Sequence, residues 1–555
     1  MRQHAVSTLL RPPALRRAVI LFAFAWAAIG TATAHAGGPV TVMTQNLYQG
    51  TEFAKIRALA ESKKEHVSFE EAIAATTTDY ATYQATNFKE RAKLIASEIA
   101  QNKPVFVGLQ EVATWHKGEF NPLNPFGLPS EVSEDFTKVL IEAIEADGLH
   151  YQAVSETARP EGNFTLAFPV APGPKPYGLT AVGMVERGVI LARSDLPAGQ
   201  LQLSNPQSGT YSCEFCKVTI ENPLTKEVIP FTDSWESIDA NFKGRAFRFI
   251  TTHLDALEPT GIVRYLQAKE LIEGPANTPL PVVVSGDFNN GPNTPPEKTG
   301  PAGYDAFLAA GFTDTWTAAG LGAPPLTCCH KAFEDRLNDP NAEFTTGQEL
   351  DHVMSRGNFP ILTEHLVGNT VASLSPPPEP FIWPSDHAGV VATFGPKVIS
   401  GQITGPLVVK NGEWIELTSS GRITGPVTVE GGGALDVEGG TITGAVKANG
   451  AAQVRLCGAT ITGPVEAING IGSVVIGEGT SGCAGGAITG GVTLTGNTQG
   501  VLVDGASVTG PVTVTGNAGG TTVINNHVVG SLTVTGNSAP VVDKPNVVTG
   551  SSNLQ

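Results

Sequence analysis

A chain of 555 residues with 52 acidic against 35 basic side chains, a formal net charge of −17, is too long for one core and predicts two to four domains. It has no Lys/Arg cluster to track a phosphate backbone by counterion release. That excludes tight non-specific nucleic-acid binding, but not transient contact by an enzyme whose metal offsets phosphate charge.

In chain order, Arg2, Arg11, Arg16 and Arg17 precede the apolar run AVILFAFAWAAIG, and AHA before Gly37 suits a signal peptidase. Residues 1–36 read as a signal peptide and the product as secreted or cell-surface. The apolar run is short for a bilayer span, and no later segment reads as one. Six cysteines then suit up to three disulfides. CEFC (Cys213, Cys216) and TCCH (Cys328, Cys329, His330) also have spacings a zinc ion accepts, but an oxidising compartment favours disulfides.

Residues 37–397 mix buried strands, amphipathic helices and Pro-rich loops, the pattern of an α/β domain. Gly50 to about Gln84 is a polar, mostly helical insertion. NFKERAKLIASEIAQNK places Asn87 as an N-cap and Ala92, Ile95, Ala96 and Ile99 on one face, and Pro104 ends the helix before VFVGLQEV. Other strands read from VTVMTQNL, RGVILAR, AFRFITTHL, PVVVSGDF, LDHVMS and AGVVATF. Polar residues flank or interrupt these runs: Asn46, Glu111, Glu186, His253, Asp287, Asn289, Asp351, Asp386 and His387. GDFNN alone also reads as a strand running into a turn. If the strand ends meet, however, carboxylates and carboxamides supply hard ligands for Mg²⁺, Mn²⁺ or Ca²⁺, and histidines held by carboxylates move protons.

From 398 to 555 the vocabulary collapses to Gly, Thr, Val, Ile and Asn. ITGP at 403 and 423, ITGA at 442, ITGP at 461, ITGG at 488, VTGP at 508, VVGS at 528 and VTGS at 548 recur mostly at 19 or 20 residues. That period predicts an all-β solenoid, each repeat one coil, about 40 Å long at ~4.8 Å per coil. Asn497, Asn517 and Asn537 share one phase and predict a stacked amide ladder. Cys457 and Cys483 sit at nearly equal phase, so a disulfide between adjacent coils is expected. Because every signature residue precedes 390, the solenoid is expected to fold separately as a spacer.

In the order QNL, LQEV, THLDA, GDFNN, LDHV and SDHAGV, residues 40–397 resemble the endonuclease/exonuclease/phosphatase superfamily, which includes pancreatic-type DNase. The resemblance implies a four-layer sandwich, two mixed β-sheets flanked by helices, with the ligand cleft at one edge of the paired sheets. It implies Glu111 as principal metal ligand, with Asn46 and Asp386 beside the metal. Asp287 and Asn289 match the pair that positions water and phosphate. His387, oriented by Asp351, resembles the catalytic histidine, and His253 the phosphate-contacting one. VERGVILAR makes Glu186 the partner of His253, although Met184 stands where the pancreatic type has tyrosine. Asp314 and Trp316 in FTDTW match a further family motif, but burial of the indole against the sheet also explains Trp316. The expected activity is metal-dependent phosphodiester hydrolysis, on nucleic acid first and phospholipid or sphingomyelin head groups second. The contrasting expectation is a surface-structural or adhesive protein whose enzyme-like domain is inactive and whose solenoid contacts cells or polysaccharide.

Overall fold

The computed structural model describes residues 39–555 apart from 63–66, 157–163, 213–217, 222–227, 244, 257–259, 293–301, 330–347, 358, 371–372, 374–380 and 478–484. The signal-peptide reading, Cys213, Cys216, His330 and Cys483 therefore lie outside the described residues. Two six-stranded sheets dominate the first domain. One runs Ile361–Val367, Gly389–Phe394, Val40–Asn46, Phe106–Gln110, Val189–Arg193, Tyr151–Glu156. The other runs Thr313–Asp314, Asp351–Arg356, Val282–Asp287, Arg245–His253, Ser234–Phe242, Leu201–Thr210. Both are mixed: Val40–Asn46 is parallel to Phe106–Gln110 and antiparallel to Gly389–Phe394. Val282–Asp287 is parallel to Arg245–His253 and antiparallel to Asp351–Arg356.

Strand side chains alternate between faces, so each strand feeds two cores. Val40, Val42, Phe106, Phe247, Phe249, Val283 and Val353 fill the space between the sheets. Met43, Val107, Leu109 and Leu191 face outward against Ile95 and Ile99 of the helix Phe88–Asn102 and Leu140 and Ile144 of the helix Phe136–Ala146. Ile250, Val282, Val284 and Met354 pack outward against Ala268 and Leu271 of the helix Ile262–Glu273 and Phe307 of the helix Gly303–Ala309. These three cores separate four layers. At Gly108 the sheets approach so closely that a Cβ would lie 2.4 Å from Thr251 Oγ1 and 2.8 Å from Ser285 Oγ, a position only glycine fills.

The helical insertion forms Ala54–Ser62 and Phe69–Ala85, the latter opened by a capping box of Ser68 and Glu71. Its Tyr83 stacks on Trp115, with ring centroids 3.8 Å apart. Trp115 belongs to a four-stranded sheet, Val132–Asp135, Thr114–Glu119, Thr180–Glu186, Phe164–Val170, that the sequence did not reveal. Asn87 occupies the N-cap position, but at φ 43° and without a side-chain cap bond. Trp316 is half-buried rather than enclosed, and its Nε1 donates to the Ala323 carbonyl.

The second domain is a parallel solenoid of three eight-stranded sheets. Each coil stacks the equivalent position on the next, as in Val427, Val446, Val465, Val492, Val512 and Leu532. The amide ladder is present: Asn497 Nδ2 donates to Asn517 Oδ1 at 2.8 Å and Asn517 Nδ2 to Asn537 Oδ1 at 2.9 Å. Asn526 and Asn546 form a second ladder, also at 2.9 Å. Cys457 is disulfide-bonded. The solenoid also touches the first domain: the Arg245 guanidinium lies 3.9 Å from the Trp414 ring and 5.7 Å from the Phe359 ring. Asp436 and Arg455 alternate with inward-facing Leu435, Val437, Val454 and Leu456 of the first coils, yet are buried and paired at 2.9 Å. Among the described residues, no helix is long and apolar enough to cross a membrane.

Candidate functional site

Between the sheets the alternating positions change character along each strand: Val40 and Val42 give way to Thr44 and Asn46, Phe106 to Gly108 and Gln110, Phe247 and Phe249 to Thr251 and His253, Val283 to Ser285 and Asp287. The polar end of this layer is the candidate site. His253 and Asp287 are register partners on parallel strands, and Asp287 pairs with Asp351 on the antiparallel neighbour. Asp386 and His387 come to the same end just before the strand Gly389–Phe394.

Asp287 is central. Its Oδ2 accepts from Asn46 Nδ2 at 3.2 Å and lies 3.6 Å from His253 Nε2 and 3.7 Å from His387 Nδ1, while Oδ1 accepts from the Asn289 amide at 2.8 Å. Asn289, in a left-handed conformation at φ 50°, donates its Nδ2 to the Leu254 carbonyl at 2.7 Å. His387 Nδ1 is 2.7 Å from Asp351 Oδ2. Glu186 Oε1 is 3.7 Å from His253 Nδ1. Glu111, at φ 53° just past its strand, accepts from Asn46 Nδ2 and the Gln49 amide, both at 2.9 Å. Asp386 is buried and accepts from Ser385 Oγ at 3.2 Å.

Burial opposes charge on both imidazoles, but their carboxylates prevail. The nearby carboxylates of Glu186, Asp287 and Asp233 raise His253 well above 6.5. Asp351, Asp386 and Asp287 do the same for His387. Burial pushes Asp386 up to about 7 against the charge of His387. Glu186, Asp287, Asp351 and Asp386 thus face two histidines, and each Glu111 oxygen, having accepted one hydrogen bond, keeps a lone pair. This hard-oxygen, acidic set could hold a divalent cation. Asn46 turns its NH₂ toward Glu111 and Asp287 and its Oδ1 to the Tyr48 amide at 2.9 Å, so here it ties the two carboxylates together.

The model of the endonuclease/exonuclease/phosphatase family matches residues 82–387, more than half of the chain. The chain belongs to this family. Its members are typically hydrolases acting on phosphoester bonds. Similar solved structures include a family protein from Bacteroides thetaiotaomicron, 16% identical over 64% of this chain and 98% of that one, TM-score 0.36. A mannosyl-6-phosphatase from B. thetaiotaomicron VPI-5482 is 16% identical over the same shares, TM-score 0.35. D. rerio TDP2 complexed with single-strand DNA product is 13% identical over 64% of this chain and 99% of that one, TM-score 0.34. No curated protein matches the chain.

The family domain holds three features beyond the sequence-derived set. Arg91 is fully buried and donates to the carbonyls of Leu47 (2.6 Å), Tyr48 (3.0 Å), Thr86 (3.0 Å) and Pro384 (3.1 Å), gathering the segments that carry Asn46 and Asp386. An arginine four residues before Ile95, on the helix's apolar face, was the available signal. Asp233 sits behind His253 and accepts from Gln267 Nε2 at 2.7 Å. Cys328 and Cys329 pair with each other, and Cys329 Sγ lies 4.0 Å from His387 Nε2.

Proposed function

We propose that this chain is an exported, divalent-metal-dependent phosphodiesterase, with extracellular nucleic acid as its first candidate substrate. The supporting observation is the convergence of His253 and His387 on Asp287, with each imidazole also facing its own carboxylate. His387 Nδ1 is occupied by Asp351, so Nε2 is the atom that exchanges a proton with the reacting groups. Asp287 and Asn289 orient the attacking water and the phosphate, and His253, aligned by Glu186, contacts a phosphoryl oxygen. Glu111, with Asp386 and Asn46 around it, would hold Mg²⁺ (or Mn²⁺ or Ca²⁺), which supplies charge neutralisation on the phosphoryl oxygens. The N-terminal leader and the cysteine usage support export.

Hydrolysis of plasmid DNA, RNA, sphingomyelin and inositol phosphates, each with Mg²⁺ and with chelator, tests the reading in wild type and His387→Ala. Turnover confined to wild type with Mg²⁺ is expected, fastest on nucleic acid. A preference for sphingomyelin transfers the assignment to phospholipid head groups. Equal rates in all four combinations refute catalysis, and retention of the full chain on cells or polysaccharide would then favour the adhesive reading.

A further inference from the structure

A second ligand-like cluster lies on the outer face of the second sheet. Asp351 and Val353 point between the sheets, so alternation sends His352 and Met354 to the helix side. The His352 ring is fully enclosed, 5.2 Å from the Phe288 ring and 4.9 Å from the Tyr304 ring. Its Nε2 lies 3.1 Å from the Asn290 carbonyl oxygen. A carbonyl only accepts, so Nε2 carries the proton and the neutral ring's lone pair is on Nδ1. Nδ1 makes no hydrogen bond. It faces Asp314 Oδ2 at 3.6 Å and Glu349 Oε1 at 3.8 Å, and the three atoms lie within 4.8 Å of one another.

A lone pair aimed at two carboxylate oxygens needs a proton or a cation between them. The gaps are too long for hydrogen bonds. They are a few tenths of an ångström wider than the roughly 3.0–3.5 Å that separates neighbouring donors around an ion with ~2.1 Å bonds. Asp314 divides its oxygens accordingly: Oδ1 accepts from the Thr317 amide at 2.8 Å, leaving Oδ2 toward His352. A histidine whose far nitrogen donates to a backbone carbonyl is also the usual arrangement of a metal ligand. We propose that Asp314, Glu349 and His352 bind one divalent transition-series cation, of the Zn²⁺ or Mn²⁺ type, at a site separate from the catalytic one. The imidazole favours these ions over Mg²⁺. Through the contact of His352 with Asn290, the bound ion fixes the segment that carries Asp287 and Asn289, so the three ligands are positioning residues.

The test uses full-length protein stripped with chelator and dialysed separately against Zn²⁺, Mn²⁺ and Co²⁺, with metal content measured by elemental mass spectrometry. Glu111→Gln, which disables the catalytic cation site, should keep one equivalent per chain and a Co²⁺ d–d absorption band. Asp314→Asn, Glu349→Gln and His352→Gln should each lose that equivalent while circular dichroism shows them folded. No ion retained by Glu111→Gln overturns the site, whether or not the second-site variants fold. Equal ion content in wild type and a folded second-site variant also overturns it, leaving an imidazolium between carboxylates. None of these readouts depends on phosphoester hydrolysis.

Discussion

Asp351 Oδ2 and His387 Nδ1 are 2.7 Å apart and both side chains are buried. Burial lowers the affinity of His387 for a proton, and Asp351 is the largest of the charges that raise it above 6.5. If neutral Nε2 takes the proton, kcat should climb along a limb lying above pH 6.5. Asp351→Asn removes the negative charge that stabilises the imidazolium, so the limb should move to lower pH while kcat falls about 10²–10⁴-fold. A pH–rate profile of both proteins decides the matter: a limb that stays in place shows that another group is titrating.

Glu98, on the helix Phe88–Asn102, is buried with neither carboxylate oxygen hydrogen-bonded, and burial pushes it from 4.5 up to about 8. The folded chain keeps a proton that the unfolded chain releases near pH 4.5. Stability from this group is therefore full below about pH 4.5 and declines as pH rises toward 8. Glu98→Gln should flatten that decline and exceed wild type at pH 8 by at least about 1 kcal/mol. Urea unfolding at pH 5 and pH 8 measures it, and an identical pH dependence in both proteins would contradict the assignment.

Asn517 accepts from the Asn497 amide and Nδ2 and donates to the Leu494 carbonyl and Asn537 Oδ1. Asn517→Ala strands several buried partners at once and should cost about 2–4 kcal/mol. Thr513→Ala, on the half-exposed outer face of the same coil, should cost less than about 0.5 kcal/mol. Comparable losses in denaturant unfolding would mean that the ladder adds nothing to coil stacking.

The contact between Arg245 and Trp414 bears on whether the solenoid is a separate spacer. Residues 37–396 alone should turn over a small soluble ester at the wild-type rate, because all the proposed site residues are retained. The fragment should nevertheless melt several degrees below the full chain, and Trp414→Ala should lower the melting temperature of the full chain by part of that difference. Lost turnover in a folded fragment would show that the coils support the site, and an unchanged melting temperature would show that the docking carries no energy.

The strand ends were legible because each rests on a local rule: a β-branched run, a polar tip and a period of two. The helix Phe88–Asn102 and the coil period of about 20 were legible for the same reason. The role of Asn46 was legible only in part. Its place at a strand tip follows from the sequence, but which way its amide turns depends on Glu111 and Asp287, which lie at the ends of two other strands.

By itself, the sequence determined the order of the six motifs, the alternation that sends Asn46, His253 and Asp287 to one face of their strands, and the repeat that stacks Asn497 on Asn517. Tertiary structure alone decided which carboxylate meets which imidazole, that Arg91 joins the segments bearing Asn46 and Asp386, that Cys329 stands beside His387, and that Trp414 covers Arg245. Periodicity fixes the direction of a side chain relative to its own backbone within a few residues. Contacts between residues dozens or hundreds of positions apart are fixed by the stacking of two sheets, a property of the whole core that no local pattern encodes.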